Sequence, residues 1–216
     1  MQVDLKGIPL LQGVSEADLR ALADRTVVRS YPKQAMIVSE GDESDSLYLI
    51  VSGRVKIYLA DEHGKELILA IKGPGQYFGE MVLDGDVRAA SVMTLEPSQF
   101  AIVARADFRA FLLGHAEVAL QLIQNLIRVA RGLNRSVRNL AMLDVYGRVA
   151  RILLELAVER DGKLVIPERL TQKEIAARVG ASREMINRVL RDLTTGGYVS
   201  VQKGRITINK APPARW

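Results

Sequence analysis

The sequence predicts an α+β chain in three successive regions: a β-rich N-terminal part, one long helix, and a basic helical part that ends in a hairpin. Three observations predict it. Gly41, Gly53, Gly64, Gly75 and Gly85 recur every ten to twelve residues, the punctuation of a compact barrel or sandwich. From about Ala116 to Leu143 no proline interrupts the chain and apolar residues return at heptad spacing, as a long helix requires. Charge is uneven: residues 1–144 carry 16 Lys/Arg against 18 Asp/Glu, whereas residues 145–216 carry 14 against 7.

At 216 residues, of which 48% are hydrophobic, the chain can fill a core and suits two domains. No apolar run reaches the roughly 20 residues that cross a bilayer, and Met1–Leu11 lacks the basic and apolar regions of a secretory signal. The expected location is the cytoplasm, with no membrane partner. Cysteine is absent, which excludes disulfides and thiolate metal sites. The basic surplus of the C-terminal part suits a polyanion, or else a solvated surface.

The runs Leu47–Val51, Val55–Leu59, Leu67–Ile71 and Gln99–Val103 are β-branched and aromatic, as half-buried or buried strands are. Ser15 with Asp18 marks the start of a small leading helix. Two adjacent seams run along the long helix: Ile123, Ile127, Ala130, Asn134, Val137, Ala141, and Leu122, Leu126, Val129, Leu133, Ser136, Leu140. Both keep the alternating four-and-three spacing of a coiled coil. One seam can pack on the chain's own β region and the other on a partner helix, giving a homodimer. The alternative is a single wide stripe in one core. Asp144 is placed to cap a helix over Val145–Val158, closed by Asp161-Gly162, so Leu140–Asp144 is the expected hinge. The tail from Ala211 to Trp216 is expected to fray.

The most specific pattern lies between Thr171 and Leu193. Thr171 with Glu174 forms a capping box, Gly180 ends the first helix, and Ser182 caps a second that begins at Arg183. This is a helix-turn-helix. Around the second helix, Arg183, Asn187, Arg191, Glu184 and Arg188 fall on one face. Met185, Ile186, Val189, Leu190 and Leu193 fall on the other. Arg reads guanine, Asn suits adenine, and Glu accepts from cytosine in the major groove. Beyond it, Gly196–Val201 and Arg205–Asn209 flank Gln202-Lys203-Gly204, a wing whose Lys203 and Arg205 are placed for phosphates or are solvated turn residues.

With these elements in order, the chain resembles the cyclic-AMP receptor protein/fumarate–nitrate regulator (CRP/FNR) family over nearly its whole length. Glu40-Gly-Asp42, Ile50–Val55, Phe78-Gly-Glu-Met81, Arg88-Ala-Ala, Asn139–Asp144 and Ser182-Arg-Glu-Met carry the resemblance. It implies a cyclic-nucleotide-binding-like β-roll (a double-stranded β-helix) over residues 1–115. A dimerisation helix and hinge would span 116–143, and a winged helix-turn-helix 144–216. The implied function is an allosteric transcription regulator that binds double-stranded DNA at palindromic, TGTGA-like half-sites, with RNA polymerase as a further partner. By the resemblance, Arg183, Glu184 and Arg188 read bases, and Thr171 and Ser182 touch phosphates. Asn187, Arg191 and Lys203 complete the expected DNA surface.

The implied effector pocket has Gly79 and Glu80 for a ribose and Arg88 for a phosphate. Ala89 stands where the family has Ser. Leu133 and Asn134 stand where it has Thr and Ser, and the loop from Gly79 to Arg88 is shorter. Three hydroxyl contacts are lost, each worth roughly 0.5–1.5 kcal/mol. The effector is therefore cyclic AMP, another small anion, or none, and Glu80 with Arg88 either binds ligand or forms an internal pair. No cofactor or metal is expected. A cupin-like enzyme is the competing class, but His63 and His115 alone cannot build its metal site, so both read as surface groups and the chain as no enzyme. A regulatory module acting on a protein partner would leave the helix-turn-helix unexplained.

Overall fold

The computed structural model describes residues 4–202 and 204–212. The chain divides into two compact units, one holding most residues up to Val129, the other Glu62–Leu67 and the residues from Ala130 on. No single helix among the described residues is long and apolar enough to cross a membrane.

The first unit opens with α1 (Glu16–Asp24), capped as expected by the Ser15 hydroxyl, which accepts from the Asp18 amide. Strands β1 (Thr26–Tyr31), β2 (Met36–Val38), β3 (Ser46–Ser52), β4 (Val55–Ala60), β5 (Glu66–Lys72), β6 (Tyr77–Phe78), β7 (Ser91–Thr94) and β8 (Ser98–Ala104) follow. They form two four-stranded sheets, ordered β1-β8-β3-β6 and β2-β7-β4-β5. Both Gly41 and Gly53 turn with positive φ. At Gly53 a Cβ would lie 2.6 Å from the Pro97 carbonyl oxygen, so no other residue fits that turn.

Strand β3 shows why a continuous apolar run is needed. Leu47, Tyr48, Leu49 and Ile50 are all buried, because the strand is covered on both faces. Tyr48 and Ile50 join Val55, Phe78, Val92 and Phe100 in a core between the sheets, where the Tyr48 and Phe78 rings stack at 4.7 Å. Leu47 and Leu49 face a second core with Leu19, Leu22, Val103 and Phe108. Helix α2 (Arg105–Gly114) supplies Phe108, and α3 (Ala116–Met142) supplies Val118 and Leu122.

Those two are the buried residues of α3. Ile123, Leu126, Ile127, Val129, Leu133, Val137 and Leu140 are exposed. The expectation that one seam packs on the chain's own β region therefore holds only to Leu122. A single stripe buried in one core is excluded.

In the second unit α4 (Val145–Leu156) is capped by the Asp144 carboxylate, which accepts from the Gly147 amide at 2.7 Å. This helix stops two residues before the expected Val158, and Asp161-Gly162 does not close it. Both residues have positive φ, the backbone of a two-residue hairpin turn, and they join β9 (Val158–Arg160) to β10 (Lys163–Val165). After α5 (Gln172–Val179) and α6 (Arg183–Thr195), β11 (Val199–Gln202) and β12 (Arg205–Ile208) complete a sheet ordered β11-β12-β10-β9. The expected wing is thus part of a four-stranded sheet. Its tip residue Lys203, and the tail beyond Pro212, lie outside the described residues.

Candidate nucleic-acid interface and effector residues

Helix α5 begins with a full capping box. The Thr171 hydroxyl accepts from the Glu174 amide at 3.1 Å, and the Glu174 carboxylate accepts from the Thr171 amide at 2.7 Å. Gly180 ends the helix in the left-handed region at φ 66°, which glycine adopts without strain. Ser182 then caps α6 by accepting from the Met185 amide. Ile175, Ala176 and Val179 of α5 pack with Ile186, Val189 and Leu193 of α6, together with Val149, Leu153, Val199 and Ile206. Arg148 ties the turn down. Its Nε donates to the Val179 carbonyl and its Nη1 to the Leu143 carbonyl, each at 2.8 Å, so it closes the orphan end of α5.

That packing leaves the other face of α6 exposed: Arg183, Glu184, Asn187, Arg188 and Arg191 all lie in solvent. Arg188 and Arg191 form no ion pair among the described residues. The Glu184 backbone N–H and the Ser182 hydroxyl hold the Glu184 carboxyl below its usual range, so it is an acceptor at neutral pH. Asn187 is oriented by Gln172, whose side-chain amide donates to Asn187 Oδ1 at 3.1 Å. Met185 departs from the expected apolar face, being 40% exposed, because it sits beside the cap at the edge of the core. Thr171 and Ser182 are exposed, and both hydroxyls already serve as caps. Arg205 is exposed at the start of β12.

Of the residues expected to hold an effector, Gly79 and Glu80 form the entry to a short 3-10 turn, Glu80–Leu83, with Gly79 at φ 84°. A Cβ at Gly79 would lie 2.8 Å from Arg88 Nη1 and 3.0 Å from the Ser46 carbonyl oxygen. Glycine is needed here for conformation and for space alike. The Arg88 main chain is zipped to the Glu40-Gly-Asp42 loop by hydrogen bonds to Gly41 and Asp42, which explains that motif. Its side chain is only 5% exposed. Nη1 donates to the Ser46 carbonyl at 2.9 Å, Nη2 faces Asp45 at 3.4 Å, and the guanidinium lies over the Tyr48 ring. Arg88 Nε is buried without a hydrogen-bond partner.

Glu80 pairs instead with Lys72, at 3.7 Å. The internal Glu80–Arg88 pair is therefore replaced by two separate pairs, because Asp45 and Lys72 stand nearer. Glu80, Lys72 and Tyr77 line a cleft of about 590 Å³ with Gln121, Asn125 and Arg128 of α3. Ala89, Leu133 and Asn134 are exposed, and the cleft's lining ends along α3 at Val129. His63 is a surface group, as expected, but His115 is not. Its side chain is 24% exposed, its Nδ1 donates to the Phe111 carbonyl at 2.8 Å, and its Nε2 faces Asp18 at 3.4 Å. No group of three or more metal-ligating side chains occurs among the described residues.

Sequence reasoning missed Arg148, Gln172, Lys72, Tyr77, Asn125 and Arg128. Lys72 carries a signal: it is the one charge closing the apolar run Leu67–Ile71, and a lysine at the buried end of a strand needs a partner.

A capped helix pair with an arginine-bearing outer face, a β hairpin beside it, and a β sandwich preceding it define a class: DNA-binding regulators with an attached effector-binding domain. Comparison with known proteins agrees. Residues 28–115 match the cyclic nucleotide-binding domain family, and residues 147–212 the Crp-like helix-turn-helix domain family. The chain is 34% identical over 205 residues to a CRP-like cAMP-activated global transcriptional regulator of Mycobacterium tuberculosis, covering 93% of this chain and 92% of that one. It is 31% identical over 189 residues to the cAMP-activated global transcriptional regulator CRP of Pasteurella multocida, covering 84% and 89%. The solved c-di-GMP responsive global regulator CLP of Xanthomonas campestris superposes with a TM-score of 0.76 at 25% identity, covering 90% and 99%. The Thermus thermophilus catabolite activator protein gives 0.56 at 30%, covering 94% of each. The chain belongs to the CRP/FNR family of transcription regulators.

Proposed function

We propose that the chain acts in the cytoplasm as a homodimer that reads a palindromic operator, with its affinity set by a small effector in the N-terminal unit. The observation that carries the reading is the exposed face of α6, with three guanidiniums and Asn187 presented on a helix anchored by Ile186, Val189 and Leu193. Arg183, Glu184 and Arg188 read base edges, while Asn187 and Arg191 extend the surface. Thr171 and Ser182 lie at helix N-termini, where backbone amides and hydroxyls face phosphates. Lys203, outside the described residues, completes the set at the wing. TGTGA-like half-sites follow from the resemblance at Arg183, Glu184 and Arg188.

Dimerisation is supported by the apolar row on α3 from Ile123 to Leu140, left exposed in the single chain at the spacing of a coiled-coil seam. Two α6 helices would then enter successive major grooves roughly 34 Å apart. The effector shifts the balance between two dimer arrangements by its difference in affinity for them. Cyclic AMP is the first effector to try, since the Mycobacterium and Pasteurella relatives are cAMP-activated, and Glu80 supplies an acceptor for a hydroxyl. RNA polymerase is the expected partner at the promoter.

Selection from a random duplex pool with the full chain tests the DNA reading. Enrichment of a two-fold palindrome whose half-sites are centred about one helical turn apart supports it; enrichment of no sequence overturns it.

A further inference from the structure

We propose that the first unit holds a ligand site apart from Gly79, Glu80 and Arg88: a cleft at the start of α2 that takes a free α-amino acid with a small apolar side chain, bound as its zwitterion. The inference goes beyond the operator reading and does not depend on it.

The cleft measures about 710 Å³, within the ~300–1,000 Å³ of small-molecule sites, and charges of both signs line it. Glu43 and Asp86 bring carboxylates from two loops, and α2 brings the guanidiniums of Arg105 and Arg109. Asp45 lines it too, but is engaged with Arg88 at 3.4 Å. The other four make no ion pair with one another or with any group among the described residues. Asp45 aside, the charged lining is therefore neutral in sum, with its charges held apart. A bare anion there meets the carboxylates and a bare cation the guanidiniums. A zwitterion satisfies each sign with its opposite.

Arg105 is held ready for a carboxylate. Its Nη2 donates to the carbonyl of the buried Ser44, and its main-chain amide donates to the Asp45 carbonyl at 2.8 Å. Its Nε is buried without a hydrogen-bond partner. Nη1 makes no hydrogen bond among the described residues and lies where a Cβ on Gly85 would be 3.6 Å away, so it remains to donate. Arg109, one turn further along α2, stands on the same face. Ala104 at the N-cap offers no side-chain acceptor, so the first amides of the helix add positive potential to this wall. On the loop after Gly85, Asp86 Oδ1 accepts from the Val87 amide at 2.8 Å, which orients the carboxylate and leaves Oδ2 for an ammonium. Val87, 50% exposed, joins Ala104 and Ala106 as the apolar part of the lining, enough for a short aliphatic side chain.

Occupancy reaches Arg88 through Asp45. The Asp45 carboxylate lines the cleft and faces Arg88 Nη2. An ammonium that draws it away leaves the buried guanidinium with the Ser46 carbonyl as its hydrogen-bond partner, and the Arg88 main chain is what fastens the Glu40-Gly-Asp42 loop.

The test is calorimetric titration of the full chain with L-alanine, L-valine and L-leucine as separate probes, then with the N-acetyl and carboxamide derivatives of the tightest binder. At least one amino acid should bind wild type. Blocking either end removes a charge-assisted contact and should weaken binding about 10-fold or more. Arg109→Gln and Asp86→Asn change exposed side chains, their folds are checked by circular dichroism, and each should weaken the amino acid by a similar factor. The losses from Arg109→Gln and from the carboxamide should not add, because they remove the same contact; nor should those from Asp86→Asn and the N-acetyl group. Binding of no amino acid, indifference to the blocked ends, or fully additive losses overturns the inference. Operator binding is measured alongside, and a chain that binds an operator but no amino acid refutes this inference alone.

Discussion

Ile186 and Met185 are neighbours on α6, yet their removal should have very different consequences. Ile186 is 0% exposed among Val149, Leu153, Ile175 and Val199. Truncation to Ala deletes three carbons, worth ~2.4 kcal/mol at ~0.8 per methylene. The cavity adds to that and places the loss within the ~2–5 kcal/mol seen for Ile→Ala. The higher helix propensity of Ala returns a few tenths, leaving about 3 kcal/mol. Met185 is 40% exposed, and its truncation should cost under about 1 kcal/mol. Hydrogen exchange of the α6 amides reads this directly: Ile186→Ala should speed it by about two decades and blur the presentation of Arg183, while Met185→Ala leaves it nearly unchanged. Indistinguishable exchange in the two variants would refute the claim that the buried face of α6 holds its outer face in place.

Two further outcomes follow from other parts of the chain. Leu133 and Val137 are 48% and 64% exposed, so replacing both with Lys should leave each unit folded while converting the proposed dimer to monomer in sedimentation and weakening operator binding; a dimer that persists would remove α3 from the interface. Burial and, second, the Asp192 charge push the Tyr146 phenol up to about 12. The folded state thus keeps its proton where the unfolded chain loses it, so this contribution is intact below pH ~10 and is lost between pH ~10 and ~12. Thermal unfolding followed by circular dichroism should fall less steeply with pH in that window for Tyr146→Phe than for wild type, and identical slopes would contradict the assignment.

What the sequence made legible was what local rules govern. The caps at Ser15, Asp144, Thr171 and Ser182 were readable because a side-chain oxygen three residues before an amide has one good use. The strands around Leu47–Val51 and Gln99–Val103 were readable because both of their faces are buried. Asp161-Gly162 was misread because the same pair serves a helix end and a hairpin turn; only pairing of β9 with β10 decides between them. The α6 surface was visible apart from Met185, since helical periodicity alone separates Arg183 from Ile186. The surroundings of Glu80 and Arg88 were not, because Lys72 reaches Glu80 from a separate strand, and Asp45 reaches Arg88 from 43 positions away. No periodic pattern carries such distances.

The central claim is that the outer face of α6 reads base edges, and fluorescence anisotropy of the full chain with Arg183→Ala tests it most directly. A bidentate guanine contact is worth ~1–3 kcal/mol of discrimination, so the variant should lose roughly 5- to 150-fold in affinity for the selected operator per half-site. Affinity for a scrambled duplex, which depends on phosphate contacts and salt, should stay nearly level. Equal loss on operator and scramble, or a wild-type protein indifferent to duplex DNA at low salt, would contradict the account.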